Sequence, residues 1–328
     1  MANYPIGRLI AELRNRQGIS QEELASEICS VSTVSKIENG AQMPKRKVYE
    51  ALLQRLGMAP RNCTAYVSEK EMKRCILEAE IESLIADGKY EQAKGVLADY
   101  VADRCSAETM EISDILTQIE EQQRLPLVPG EGMSRLEIQY ALCQLAVLVQ
   151  QEDCGQALIL YERAGQVTIP NLTWKELPQV QLLSRQEIRI LCGMAMLLYE
   201  TGEQKHAKRL LYFLKDYMEY RVVDPEEKLQ TYPEIMHVLS HWMGEDGRFD
   251  RQLELCDQGI DLCTRQMRQC ALPHLLEEKG YALAAREQPE KAQSILKQAY
   301  FVYCAIGESA RAERLKAKAR TLFQIDFA

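Results

Sequence analysis

The sequence predicts an all-α protein in two parts, a small basic bundle of short helices followed by a long acidic stack of helical hairpins. Three observations carry that expectation. Apolar residues recur every three to four positions while only 7% of the chain is aromatic, so amphipathic helices rather than strands account for the pattern. Charge is unevenly divided over the 328 residues, whose formal total is −8. Residues 1–66 hold nine Lys/Arg and six Asp/Glu, a balance of +3, and the other 262 hold 31 against 42, a balance of −11. Finally, one small-residue pattern returns five times beyond residue 66. No apolar run approaches the roughly 18 residues that a bilayer span needs. The first residues, MANYPIGRLIAEL, lack the continuous apolar segment of a secretory signal. The eleven cysteines are odd in number and contain no C-x-x-C, which suggests reduced thiols rather than a disulfide framework or a zinc ribbon. A cytoplasmic protein with no membrane partner is expected.

In the basic head, Ile6, Leu9, Ile10 and Leu13 fall at helical spacing between Pro5 and Arg16, and Gly18 ends that helix. Ser20 and Glu23 form a capping box, in which hydroxyl and carboxylate each satisfy a free amide at a helix start. A second helix is expected from about Gln21 to Ile28. After a tight turn at Cys29, Ser30 caps a third helix that turns Val34 and Ile37 inward and closes at Asn39-Gly40. Pro44 precedes a fourth helix with Val48, Leu52, Leu53 and Leu56 on its apolar face, stopping at Gly57.

Short helices in this order, two of them separated by a three-to-four-residue turn, are the layout of a helix-turn-helix. The second helix of such a pair enters the major groove, so its outward residues Val31, Ser32, Thr33, Ser35 and Lys36 are candidate DNA contacts. Hydroxyls bond phosphates or base edges, Val31 and the Thr33 methyl suit a thymine methyl, and Lys36 reaches a guanine or a phosphate. Gln21, beside the free amides of the preceding helix, is a candidate phosphate anchor. Lys45, Arg46 and Lys47 suit backbone contacts to a double-stranded operator. A head of only +3 supports modest affinity alone, which favours a homodimer.

The stretch SQEELASEICSVSTVSKIENG closely resembles the Xre-type helix-turn-helix, with Leu24-Ala25 and Ile37-Glu38-Asn39-Gly40 fitting directly. Its turn, Ile28-Cys29-Ser30, lacks the usual Gly and is one residue shorter. That shortened form is similar to the head of the Rgg/PlcR-type, peptide-responsive bacterial regulators. The resemblance implies DNA contacts from Gln21, Val31, Ser32, Ser35 and Lys36, and a role in quorum sensing.

The acidic body repeats a helix, then G-x-Y-x-x-A, then a second helix, which is the core of a tetratricopeptide repeat. Gly88, Tyr90 and Ala93 show it best, and the anchor position recurs at 93, 157, 207, 252 and 292. The intervals of 64, 50, 45 and 40 exceed the usual ~34 residues, so the repeats are degenerate. The first gap holds an extra helix, about Ala107 to Gln123, and a loop from Leu125 to Gly132. Small residues let paired helices approach, and each hairpin buries its apolar face only by stacking on its neighbours, which implies a right-handed solenoid with a concave surface. Ser309 to Phe323 reads as a solvent-facing helix that closes the stack or makes a dimer contact. The expected domains are 1–66, the DNA-binding head; 67–307, the repeat sensor; and 308–328, the capping helix. The body also resembles the peptide-binding half of the same regulators.

In such repeats the first helix of each hairpin faces the groove. Counting back from each anchor places Glu78 and Glu82, then Gln139 and Leu142, then Arg189, Cys192 and Met196 on that face. Glu234, His237 and His241 follow, and then His274, Glu277 and Tyr281. The candidate ligand-binding set is Gln139, Arg189, Met196, Glu234, His237, His241, His274, Glu277 and Tyr281. Arg189 suits a carboxylate and the acidic residues an N-terminal amine or a Lys, as an extended short peptide would require. The related regulators often grip a peptide backbone with groove asparagines, whereas this body has one asparagine, Asn171, in a loop.

His237 and His241, four apart, with His274 and Glu277 have metal-ligand spacing. Ordinary groove polarity accounts for them, so neither a metal nor another cofactor is expected. Cys256, Cys263 and Cys270 recur every seven residues as a packing stripe. No Gly-rich phosphate loop, G-x-S-x-G or H-E-x-x-H occurs, which argues against an enzyme. The reading that follows is a sequence-specific transcription regulator gated by a peptide, with the alternative that the repeats dock a protein partner.

Overall fold

The computed structural model describes residues 5–26, 28–44, 46–56, 69–102, 111–124, 132–178, 183–220, 225–265 and 271–323, and among these it contains helices and no strand. The chain divides into two compact units, Met1–Ile115 and Leu116–Ala328.

The first unit opens with α1 (Pro5–Arg16), α2 (Gln21–Ala25), α3 (Val31–Glu38) and α4 (Arg46–Arg55). The capping box forms as the sequence implies: Ser20 Oγ accepts from the Glu23 amide at 3.1 Å and Glu23 Oε2 accepts from the Ser20 amide at 2.7 Å. Ser30 Oγ likewise accepts from the Thr33 amide at 3.1 Å to start α3. One boundary differs from the sequence expectation. The α2 helix ends at Ala25 rather than near Ile28, and Ser26 is extended, with φ −45° and ψ 128°. Arg55 explains the early stop, because its guanidinium donates to the carbonyls of Glu23, Leu24 and Ser26 and replaces the bonds that a further helical turn would supply. Ile10, Leu24, Val34, Ile37, Leu52, Leu53 and Leu56 form one core. At Gly7 the backbones of α1 and α3 approach so closely that a Cβ would lie 1.8 Å from the Ile37 carbonyl oxygen. Two further helices, α5 (Glu69–Ala86) and α6 (Tyr90–Ala102), form the first hairpin. Gly57, the start of the expected extra helix and most of the loop at 125–132 lie outside the described residues, as does Cys270.

Next comes α7 (Ile112–Arg124), the described part of that extra helix, followed by four hairpins. These are α8 (Arg135–Val149) with α9 (Cys154–Gln166), α10 (Arg185–Glu200) with α11 (Gln204–Tyr220), α12 (Pro225–Glu245) with α13 (Phe249–Arg265), and α14 (Leu272–Ala285) with α15 (Pro289–Ala305). The last element is α16 (Ser309–Phe323). The five anchor positions fall at the fourth residue of each second helix, and Ala93, Ala157, Ala207 and Ala292 are fully buried there. Gln252, the exception in size, is buried as well, because Gly244 on α12 leaves it room. A Cβ at Gly244 would sit 2.7 Å from Gln252 Nε2. Cys256 and Cys263 pack inside, and burial pushes the Cys256 thiol up to about 12.

The α16 helix leaves most of its described side chains exposed and packs one stripe against the last hairpin. Its Ala312, Leu315 and Ala319 are buried in one cluster with Leu276, Leu283, Leu296 and Tyr303. The alternation of these small and apolar residues with Arg and Lys is that of a packed amphipathic helix. No helix among the described residues is long and apolar enough to cross a membrane.

The Gly244–Gln252 approach gives a direct test. Gly244→Ala should destabilise the chain by about 1–3 kcal/mol through overpacking, and Gln252→Ala in the same chain should recover part of that loss. Thermal and urea unfolding of the two single variants and the double variant measure the coupling, and strict additivity would refute the contact as the constraint.

Candidate functional site

The head presents α3 much as a reading helix requires. Its inner residues Val34 and Ile37 are fully buried. On the other face Val31 is 41% exposed, Ser32 and Lys36 are exposed, and Thr33 and Ser35 are half-buried. The two hydroxyls nearest the turn are paired locally, with Ser30 Oγ and Thr33 Oγ1 2.8 Å apart. Ser35 Oγ accepts from Asn39 Nδ2 at 3.5 Å. Gln21 is held rather than loose: its Nε2 donates to Glu38 Oε2 at 2.7 Å, and Arg14 Nε donates to Glu38 Oε1 at 2.7 Å. Arg14 also reaches the Ile19 carbonyl at 2.9 Å, so one guanidinium ties α1 to the loop before α2 and to the end of α3. Those bonds set the orientation of α3 against α1 and α2. Lys45 and the side chains of Arg46 and Lys47 lie outside the described residues.

In the second unit a cavity of about 400 Å³, within the size range of ligand pockets, opens between three first helices, one second helix and the closing helix. Met196 of α10 lines it, together with His237, Val238, His241 and Trp242 of α12, and His274, Glu277 and Glu278 of α14. Tyr303 of α15 and Arg311, Arg314, Leu315 and Lys318 of α16 complete the wall. Five residues that the repeat register placed on the groove face, Met196, His237, His241, His274 and Glu277, thus come together here. Glu278, Trp242, Tyr303 and the α16 residues are additions that the register did not supply.

The other four candidates lie elsewhere. Gln139 is 1% exposed, and its Nε2 donates to the Ala164 carbonyl at 3.1 Å and to Thr168 Oγ1 at 2.7 Å, which makes it a tie between α8 and α9. Arg189, Glu234 and Tyr281 are half-buried and do not line the cavity. Tyr281 donates to Glu277 Oε1 at 2.7 Å and so supports the wall from behind. Burial raises the Glu234 carboxyl above its usual range, against the opposing pull of Arg311.

Donor and acceptor counting fixes the direction of a proton chain through the cavity. Arg311 has only donors, so its contact to His274 Nε2 at 2.8 Å makes that nitrogen an acceptor. The ring proton therefore sits on Nδ1 and points at the Tyr303 oxygen, 2.6 Å away. Tyr303 in turn donates to Glu277 Oε2 at 2.9 Å. His274 is held neutral by burial and by Arg311, both of which lower its pKa. The His237 ring stacks on it with centroids 4.9 Å apart, and burial first, then His274, brings the His237 pKa down to about 4. His241 behaves oppositely, since its Nδ1 lies 3.0 Å from Glu278 Oε1 and that bond raises its pKa. Among the described residues no three His, Cys, Asp or Glu side chains converge in a metal-holding group.

With this geometry in hand, comparison with known proteins identifies residues 5–63 as a helix-turn-helix domain. No curated protein sequence matches the chain. Among solved structures, PlcR of Bacillus thuringiensis in complex with the peptide PapR7 and DNA is similar over 96% of this chain and 99% of its own, with a TM-score of 0.59 at 16% identity. The apo form of PlcR gives a TM-score of 0.54 over the same shares at the same identity. The SHP pheromone receptor Rgg2 of Streptococcus dysgalactiae covers 97% of this chain and 99% of its own, with a TM-score of 0.52 at 13% identity. At these identities the likeness is one of fold, a helix-turn-helix head followed by tetratricopeptide-like hairpins.

The histidines predict a pH profile. His237 and His274 bind protons less readily in the folded chain than unfolded, so their contribution is intact above about pH 6.5 and is lost as pH falls toward the folded values. For His237, folded at about 4, the loss by pH 4 is on the order of 3 kcal/mol. His241 has the opposite sign: its pairing with Glu278 stabilises below the ordinary imidazole value and fades as pH rises through the raised one. Melting temperature against pH should therefore fall steeply between 6.5 and 4, and His237→Gln should flatten that limb. An unchanged slope in the variant would show that His237 is not buried neutral.

Proposed function

We propose that this chain is a sequence-specific DNA-binding transcription regulator whose second unit binds a short peptide in the cavity between α10, α12, α14 and α16. The observation that carries this reading is the pairing in one chain of a helix-turn-helix domain with an exposed α3 face and a lined cavity of about 400 Å³. The same order of parts is found in PlcR, solved with a peptide and DNA, which supports it.

In this reading Val31, Ser32 and Lys36 meet base edges, Ser35 and Gln21 meet phosphates, and Lys45, Arg46 and Lys47 add backbone charge. Thr33, whose hydroxyl is already used by Ser30, contributes its methyl. Two heads in a homodimer read half-sites about one helical turn apart, and the peptide acts by changing their spacing. Such a protein works in the cytoplasm and needs neither catalysis nor a cofactor.

Selection of sites from a random duplex pool by the full chain tests the reading. One enriched, pseudo-palindromic motif is expected, and Lys36→Ala and Ser32→Ala should each weaken binding to it about tenfold, in line with the energy of single base contacts. Lys36→Ala should also reduce the dependence of affinity on salt. If both variants retain full affinity, selectivity and salt slope, α3 is not the reading helix.

A further inference from the structure

The repeat register pointed to Arg189 as the group that would receive a ligand carboxylate and to the acidic groove residues as receivers of an amine. The cavity has the reverse polarity. We propose that α16 supplies a carboxylate-binding wall, in which Arg311, Arg314 and Lys318 hold the carboxylate of a linear peptide. The proposal rests on the reading of this cavity as a peptide site and adds the chemistry and direction of the peptide that fits it.

Positions 311, 314 and 318 are three, four and seven apart, so the three cations share one face of α16, and all three line the cavity. Two of them, Arg314 and Lys318, have no carboxylate partner among the described residues. Among the described residues Arg314 makes one bond, from Nε to the Ala310 carbonyl of its own helix at 3.4 Å. Lys318 has no carboxylate within ion-pair range among them, and its Nζ rests 4.1 Å above the centre of the Tyr281 ring. Only Arg311 is partly engaged, through Nε to Glu308 at 3.1 Å and NH1 to His274, which leaves guanidinium donors over.

The cavity's own two carboxylates are fewer than these cations and are already held in place by neighbours. Glu277 accepts from Tyr281 and Tyr303, and Glu278 accepts from Gln252 at 2.8 Å and pairs with His241. Each acid is held by a neighbour on its own or an adjacent helix, and the lining sets the three cations of α16 against these two carboxylates, so its excess charge is positive and lies on α16. Opposite it stand the apolar surfaces of Met196 and Trp242. A ligand with one carboxylate against α16 and apolar side chains toward α10 and α12 matches both features. Arginine binds such a group through paired N–H bonds, and displacing little existing structure makes the exchange favourable.

The carboxylate has two sources in a peptide, its C-terminus or an Asp or Glu side chain, and four heptapeptide pools separate them. Two pools contain Asp and Glu and two omit them, each prepared as the free acid and as the C-terminal amide. Full-length protein is incubated with each pool, and retained peptides are identified by mass spectrometry after gel filtration. Retention from the acidic-residue-free pool only as the free acid assigns the C-terminus. Retention from amidated peptides only when they carry Asp or Glu assigns a side chain. In either case affinity for the recovered peptide should fall at least tenfold in Arg314→Gln and Lys318→Gln, the size of a lost charge-assisted bond, and persist in Lys318→Arg. Equal retention from the amidated pool without acidic residues, unaffected by these substitutions, would overturn the carboxylate wall and leave the peptide reading standing. Retention from none of the pools overturns the peptide reading and this proposal with it.

Discussion

Close approach of paired helices at one small residue is the constraint on which the second unit depends. Where that residue is alanine, as at Ala157, Ala207 and Ala292, the second helix of a hairpin lies against the first and buries the anchor completely. Position 252 breaks the rule with a glutamine, and the consequences run outward from there. The space is returned by Gly244 on the facing helix, and the amide donates to both the backbone carbonyl and the carboxylate of Glu278. Glu278 is thereby fixed at the cavity edge, where it holds His241. A packing exception in one hairpin thus sets the polarity of a cavity shared with the next.

The head obeys a similar logic on a smaller scale. Glu38 closes α3 and collects Arg14 and Gln21, while Arg55 of α4 collects the carbonyls at the end of α2. Neither arrangement adds much hydrophobic area. Both fix the angle and spacing of two short helices that could not hold themselves, since isolated helices of five and eight residues are far below the length that is stable in water. In the proposed reading, preorganisation of α3 is a prerequisite for reading bases, because a single base contact is worth only a few kcal/mol.

Much of this was legible in the sequence, for local reasons. Ser20, Glu23 and Ser30 act within one turn of themselves, so their caps could be read directly. Four of the five anchors could be read because alanines recur in phase with buried helix faces, and Gln252 followed from Gly247 and Phe249 before it. Among inner-face residues, His237, His241, His274 and Glu277 reach the cavity because their helices run as the register assumes. Gln139 shows where register alone misleads. It has the right spacing, but α8 is apolar on nearly every side, and a polar group in such a helix is held by buried partners rather than by a groove. The cations of α16 were illegible for the opposite reason. In the run RAERLKAKAR the charged residues look like a solvated face, and they are exposed, but only the packing of Ala312, Leu315 and Ala319 brings Arg311, Arg314 and Lys318 to the cavity mouth as well.

The charge balance therefore has to be read at two scales. Over the whole chain the total of −8 conceals a basic head and an acidic body. Within the acidic body the same concealment recurs, because the cavity lining sets Arg311, Arg314 and Lys318 against only Glu277 and Glu278. A summed charge governs the long-range field, which is screened beyond about 10 Å at moderate salt. Recognition inside a cavity is governed by whichever groups are left without a partner. Here Glu277 and Glu278 are held by neighbours while Arg314 and Lys318 have no carboxylate partner among the described residues, so under the proposal above a region that adds negative charge to the molecule offers a positive wall to a ligand.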